Sequence, residues 1–348
     1  MLVSPSPFCM FVVLNLKENI MKRIINLILS FLVSVVLYGQ GLLTGLDSVS
    51  LDKPIVLTSK EKKVFEKYAK KVGILKYSEL KDKSPSEFWH HISDNNLRYG
   101  VYKEAFKKRT KMAENTAKEV NNIIQSTWDD RRALEIKDSG ELGEFVETVE
   151  VALKSYLESE KVNVKLINNN DVNAFAVADG YIGINIGCFY EDWISLNEIF
   201  YLVGHEYSHI MLAHQFVHKY FQKKQNFKMN MIAGISSAVI AAATVYEASL
   251  GVTDTTSVKY IDEIVTSANQ LKKDFYFKFS REEEFEADTY SMYYMMNKKV
   301  SPYNAINLLD KFAEKYGDKE TEKDDTHPSN SERKKFLYYI LTEYNNII

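Results

Sequence analysis

Cysteine is almost missing: Cys9 and Cys188 are the only two in 348 residues, too few for a disulfide scaffold or a thiolate-rich metal site. Proline (6) and glycine (14) are scarce as well, which excludes collagen-like and low-complexity chains. No bulk basic field exists, since 44 Lys and Arg stand against 47 Asp and Glu for a net charge of −3. A nucleic-acid partner therefore has no electrostatic support. What is present, 45% hydrophobic and 26% charged residues, suffices for an ordinary globular core in one large domain or two modest ones.

The start of the chain reads as a targeting segment. Lys22 and Arg23 precede an apolar run over 24–37, and the small residues Gly39 and Gly41 follow. A basic start, a short apolar stretch and small residues after it form the pattern of a secretory signal peptide. A membrane anchor wants about 20 apolar residues, more than this run supplies. Residues 1–41 are thus expected to be a signal peptide, with translation starting at Met21 and an upstream over-extension before it. Its removal takes Cys9 away, and a lone Cys188 is compatible with an oxidising compartment. No cysteine ends the apolar run, so a lipid anchor has no attachment point there.

Beyond the leader the text is mostly helical and holds no internal repeat. Thr58 and Glu61 form a capping box, followed by Val64, Phe65, Tyr68 and Val72 at helical spacing and a stop at Gly73. Helical pattern rich in Lys and Tyr continues to about Trp128, 129–143 reads as a linker, and a helix is expected over about 144–160. Val162, Val164 and Leu166 then alternate with polar residues, as do Ile182, Ile184 and Ile186 after Gly180, which signals a small sheet. From Ser195 onward the pattern is helical again. Ser301-Pro302 opens a helix with Ile306, Leu309, Phe312 and Tyr316 on one face and Gly317 at its end, and Ser329 with Glu332 caps the last one. The uncharged stretch 231–246 is read as a buried or membrane-facing helix rather than a crossing.

Residues 205–209 read His-Glu-Tyr-Ser-His. Positions four apart on a helix differ by about 40° around its axis, so His205 and His209 face the same way. Two neutral imidazoles suit Zn²⁺, and Glu206 lies between them in azimuth, placed to act as a general base. A solvated amphipathic helix is the blander reading, but the flanking Ile199, Phe200, Leu202, Val203, Ile210 and Met211 are too apolar for an exposed surface. Burying such a cluster without a metal or hydrogen bonds is costly. On a continuous wheel His214 and His218 fall at about 180° and 220° from His205, so both are expected to serve at the surface or in packing. The adjacent His90 and His91 point about 100° apart and are assigned no metal.

A catalytic zinc takes three protein ligands and leaves a fourth position for water. The run 280–288, Ser-Arg-Glu-Glu-Glu-Phe-Glu-Ala-Asp, offers a carboxylate. Glu284 and Asp288 share a helix face, so Glu284 can ligate while Asp288 orients an imidazole. From spacing alone Glu282, Glu283 and Glu286 remain rivals, with an acidic solvated face as the plainer alternative.

Four blocks taken together resemble metallopeptidase family forty-eight, the HtpX-like and BepA-like zinc endopeptidases of gluzincin type. They are Asn173-Ala174-Phe175-Ala176 with Gly180-Tyr181-Ile182 and Gly187, the His205–His209 run, Ser280-Arg281 with Glu284 and Ala287-Asp288, and Thr326-His327-Pro328-Ser329 with Arg333. The resemblance spans about 144–341 and selects Glu284 from the acidic run. It implies an α+β, mainly α, zincin-type domain with a small sheet beside the active-site helix. One Zn²⁺ per chain would be held by His205, His209 and Glu284, with Glu206 activating water and Asp288 orienting the site. It further implies that the strand near 181–186, with Asn173, Tyr181, Ile182 and Ile184, offers its edge to an extended substrate. His327 would plug the open site or contact the reacting carbonyl, and Arg333 would stabilise the oxyanion.

The expectation is an exported zinc endopeptidase, with an added helical region over 45–135 and the metallopeptidase domain over 141–348. Its partners would be proteins and peptides, namely unfolded or misassembled envelope proteins, with peripheral membrane or envelope-complex contact admitted and no nucleic acid. It would be periplasmic or envelope-associated, with release outside left open. The competing reading is a zinc-containing envelope chaperone or assembly factor with a plugged, weakly active site.

Overall fold

The structure, a computed structural model, describes residues 49–137, 140–190, 193–249, 256–322, 325 and 327–347, without the side chains of 141, 235, 237–249, 256–262 and 275. The leader lies outside the described residues. Helices α1 (Ser59–Val72), α2 (Pro85–Asn95), α3 (Leu97–Lys107), α4 (Lys111–Ser126) and α5 (Trp128–Leu134) come first, followed by α6 (Glu141–Leu157). A three-stranded sheet follows, built from β1 (Asn163–Ile167), β2 (Ala174–Val177) and β3 (Tyr181–Asn185). The short α7 (Gly187–Tyr190) leads to α8 (Leu196–Met211), α9 (His214–Ser249), α10 (Thr256–Asn297), α11 (Tyr303–Tyr316) and α12 (Asn330–Tyr339). The expected α+β, mainly helical architecture is what the chain adopts.

Local chemistry sets the helix starts. The Thr58 and Ser195 side chains accept the backbone N–H three residues on, while Glu61 and Glu198 return the bond, completing capping boxes for α1 and α8. Glu198 does more than cap: Lys311 of α11 donates to its carboxylate at 3.0 Å, so the first turn of α8 is tied to a neighbouring helix. Gly73 ends α1 in the left-handed region at φ 78°, where a side chain would be strained.

In the sheet, β3 lies between its neighbours, parallel to β1 and antiparallel to β2. Gly180 makes the β2–β3 hairpin possible at φ 93°. This order corrects the expected substrate strand. Tyr181, Ile182 and Ile184 are buried in the middle strand with both ladder edges used, and the open edge belongs to β2, directly after Asn173. The apolar alternation read from the sequence falls on β1 and β3; which strand lies outermost is set by pairing order, which alternation does not encode. The stretch 129–143 is also more than a linker, because α5 occupies most of its first half and Arg131 is buried against Asp179 at 3.3 Å. Tyr316, placed on the apolar face of α11, is exposed at the end of that helix.

One large apolar cluster runs through the molecule. Phe65 of α1 and Trp89 and Ile92 of α2 join Tyr207 of α8, Tyr294 of α10 and Phe336 of α12 in it. The Trp89 ring lies 4.8 Å from that of Tyr207 and 4.9 Å from that of Tyr294. Helices α1 and α2 are therefore part of the same core as the rest. A second, smaller cluster, with Tyr102, Ala113, Val217, Tyr220 and Phe279, pins α3 and α4 to the start of α9 and the middle of α10. Beyond it, Phe227, Met231 and Ile232 on α9 are exposed, so the start of the 231–246 stretch is not buried. No helix among the described residues is long and apolar enough to cross a membrane.

Helices α8 and α10 meet closely at Gly204. A Cβ there would lie 2.5 Å from Ser291 Oγ, which donates to the Tyr201 carbonyl at 2.7 Å. Gly204→Ala should destabilise the fold by about 1–3 kcal/mol through overpacking. The loss should be smaller when Ser291→Ala is already present, because the clashing oxygen is gone. Urea unfolding of the four variants in that cycle measures both effects.

Candidate metal centre

Helix α8 is buried along most of its length, and its apolar residues lock the backbone that carries His205, Glu206 and His209. The two imidazoles converge, with His205 Nε2 and His209 Nε2 3.1 Å apart. Glu284 arrives from α10, its carboxylate oxygens 3.5 Å from His205 Nε2 and 3.6 Å from His209 Nε2. Among the described residues this is the one group of three or more His, Cys, Asp or Glu whose ligand atoms all lie within 4.8 Å of one another. Metal–ligand bonds of about 2.0–2.2 Å give a tetrahedron with edges of about 3.3–3.6 Å. The two Glu284 separations match that figure and the imidazole pair, at 3.1 Å, is slightly closer; two nitrogens with one oxygen are a donor set suited to zinc.

The rivals in the acidic run are engaged elsewhere. Glu282 is paired with Lys71 at 2.6 Å and with Arg98, Glu283 with His218 at 2.7 Å, and Glu286 accepts from Asn96 at 2.8 Å. Only Glu284 faces the imidazoles.

Asp288, one turn beyond Glu284, is fully buried and held from three sides. Its carboxylate lies 2.8 Å from His205 Nδ1, accepts from the Tyr201 hydroxyl at 2.6 Å, and accepts from Arg333 Nε and Nη2 at 2.8 and 2.6 Å. Burial disfavours its charge, but Arg333 and His205 outweigh that and hold the carboxyl well below its usual range. Arg333, expected to stabilise an oxyanion, thus has its Nε and Nη2 committed to Asp288, while it also lines the cleft. In this geometry it braces the carboxylate that orients His205.

Burial also acts on the imidazoles and on Glu206. It disfavours the His205 imidazolium, yet Asp288 and Glu284 raise that pKa to about 10, so a cation binding there displaces a proton. His209 goes the other way: burial, followed by the neighbouring His214 and His205, keeps it neutral. For Glu206, burial and the nearby Glu284 push the pKa up to about 7, against His205, Arg333 and a backbone hydrogen bond from Ala176 of β2. A carboxyl tuned to that range is suited to accept and return a proton near neutrality.

These residues open onto a cleft of about 500 Å³. Its walls include Asn173, Ala174, Phe175 and Ala176 on the β2 side and Leu309, Phe312 and Asn330 on the other. Asn173 anchors β2: its side chain accepts from Ala174 N–H at 2.9 Å and its carbonyl accepts from Asn185 N–H at 3.0 Å. His327 stands at the mouth, 65% exposed, its Nε2 3.6 Å from Glu284. Arg281 clasps the segment before it, donating to the Asp325 carbonyl at 2.7 Å. Cys188 is buried behind the sheet and its thiol is pushed up to about 12 by burial, so it is no nucleophile.

Two neighbours of the site were not legible in the sequence. Ala213 sits in the left-handed region at φ 52° and separates α8 from α9. The continuous wheel therefore fails at that residue, and His214 folds back until its Nδ1 is 2.8 Å from His209 Nδ1. Gln215 follows, donating to the Ala176 carbonyl at 3.0 Å and accepting from Ala178 N–H at 3.1 Å, which closes one end of the β2 edge. A non-glycine left-handed residue leaves no signature in one sequence.

Comparison with known proteins bears on this geometry. The profile described as Peptidase family M48 matches residues 138–341. The chain belongs to peptidase family M48. It is 26% identical over 243 residues to metalloprotease YcaL of Escherichia coli K12, covering 70% of this chain and 86% of that one. It is 27% identical over 208 residues to metalloprotease LoiP of the same organism, covering 59% and 72% of the two chains. No solved structure gives a significant match. The M48 chain is a metalloendopeptidase, a hydrolase of peptide bonds.

Asp288→Asn should weaken zinc binding by about 10–100-fold, because the imidazole it orients loses its carboxylate partner, and should also lower stability, because buried Arg333 loses its counter-charge. Competition with a chromophoric chelator measures the affinity, and near-ultraviolet circular dichroism checks the fold.

Proposed function

We propose that this M48 peptidase is a zinc endopeptidase that cleaves extended segments of unfolded or misassembled proteins at the cell envelope. The observation that carries the reading is the convergence of His205, His209 and Glu284 beside Glu206 in a cleft walled by an edge strand. His205, His209 and Glu284 would hold the ion. Bound zinc supplies Lewis-acid polarisation of the scissile carbonyl and acidifies water. Glu206 accepts the proton of the attacking water and delivers it to the leaving amide nitrogen. Tyr201 and Arg333 keep Asp288 in place, so His205 stays in one tautomer and one orientation throughout.

The substrate class is argued from β2. A strand edge pairs with main chain, so it selects an extended, unpaired segment and reads side chains weakly. Gln215 and Asn173 already engage Ala176, Ala178 and Ala174, which confines pairing to a short stretch of that edge. Export is argued from the basic pair and apolar run of the leader, which also supports an envelope location.

Glu206→Gln should abolish casein-type proteolysis, with a loss of about 10²–10⁴-fold, while zinc content stays at one per chain. In the wild type a half-buried carboxyl with raised pKa must be ionised to accept the proton. Activity should therefore fall as pH drops through an acid limb at or below about 7, since a bound cation only lowers that value. A limb well above 7, or a Glu206→Gln enzyme that still cleaves, would exclude this role.

The position of His327 favours keeping the holding reading, in which a plugged site retains client proteins with little turnover. As a plug His327 blocks cleavage, so His327→Ala should raise basal proteolysis several-fold. A fall in proteolysis in His327→Ala would instead make it a contact of the reacting carbonyl, and client retention unaffected by Glu206→Gln would support holding.

A further inference from the structure

We propose that His214 is a positioning residue for the second metal-binding imidazole, and that the helices before the family-matched region hold it in place. The inference rests on reading His205, His209 and Glu284 as the metal site. His205 has a carboxylate at its outward nitrogen, Asp288. His209 has none, and its Nδ1 instead meets His214 Nδ1 at 2.8 Å, the two rings edge to face at 76°. His214 is buried. Its other nitrogen, Nε2, faces Glu286 Oε2 at 3.7 Å. The second oxygen of Glu286 accepts from Asn96 at 2.8 Å, and Arg98 Nη1 lies 3.7 Å from Oε2. Arg98 in turn pairs with Glu282. Asn96 and Arg98 stand at the start of α3, outside the residues 138–341 that the family profile covers.

The proton arrangement follows from one requirement. His209 Nε2 points at Glu284 and His205, so it must carry a lone pair to bind a cation. Its single proton is then on Nδ1 and is donated to His214 Nδ1. That leaves the His214 proton on Nε2, aimed at Glu286, whose carboxylate favours it there. The opposite tautomer of His214 would set two N–H groups against each other at 2.8 Å, and the His209 ring would turn away. Glu286, held by Asn96 and Arg98, therefore selects the tautomer of His214, and His214 selects that of His209. Such outer partners typically contribute 10–100-fold in metal affinity.

The test measures zinc affinity rather than turnover. His214→Phe keeps the ring volume and removes the acceptor; His214→Asn loses volume and places Oδ1 where Nδ1 stood. Apparent zinc Kd is measured by chelator competition at fixed pH, alongside the visible spectrum of the Co²⁺-loaded protein. Positioning predicts that His214→Phe binds about 10–100-fold more weakly with an altered cobalt spectrum, while His214→Asn stays within threefold of wild type. A packing role predicts the reverse order, and His214→Phe within threefold of wild type overturns the proposal. Should His214→Phe not fold, His214→Ala replaces it under the same criterion. Asn96→Ala should weaken zinc binding several-fold from a distance; an unchanged Kd there removes the helices from the chain of contacts. Wild type that binds no zinc would sink the metal-site reading itself, whereas wild-type binding that His214 variants leave unaltered sinks only this inference.

Discussion

The close crossing of α8 and α10 is the constraint on which the rest depends. Gly204 lets Ser291 approach the α8 backbone, and at that separation Glu284 and Asp288 reach the imidazole of His205 from two sides. Widen the crossing and both carboxylates retreat together, because they sit one turn apart on the same helix. Nothing in the loops can compensate, since the donors come from rigid helices whose own rotamers are fixed by packing. The catalytic chemistry is thus a property of one helix pair, and the sheet and remaining helices serve to hold that pair and to wall its cleft.

The charges around the crossing are balanced within a buried volume. Glu284 and Asp288 bring two negative charges, which Arg333 and the His205 proton, or a cation in its place, offset. An uncompensated buried charge is costly, so removing one partner exposes the others to their full desolvation. Removal from water, with Glu284 beside it, lifts the Glu206 carboxyl to about 7 against the pull of His205 and Arg333. It is half-buried beside those charges and accepts a hydrogen bond from the Ala176 backbone.

Much of this was visible in the residues themselves. The His205 and His209 pair, with Glu206 between, follows from helical spacing, and the caps at Thr58, Ser195 and Ser329 follow from side-chain chemistry. Spacing could not single out Glu284, because Glu282, Glu283 and Glu286 differ from it only in which neighbours they meet across space. Strand order was hidden for a similar reason: alternation marked β1 and β3 as strands, and only pairing decides which edge is open. His214 was misread because a wheel assumes a helix without interruption, and the break at Ala213 is a backbone event at an ordinary residue. Apart from the caps, the added helices gave no motif, since their contribution is aromatic packing and polar contacts made across long sequence distances.

The two long helices between the ligand segments have a consequence for how the molecule can vary. Tyr201 and Asp288 touch although 87 residues separate them, and α9 and α10 span most of that interval. Both arms begin or end beside the site, and among the described residues their shared base is packed at Val217, Tyr220 and Phe279. Whole turns inserted or deleted equally in both arms would change the reach of this excursion while leaving the distances among His205, His209 and Glu284 as they are. The interval between the ligands is therefore free to lengthen or shorten, and only its base is geometrically constrained.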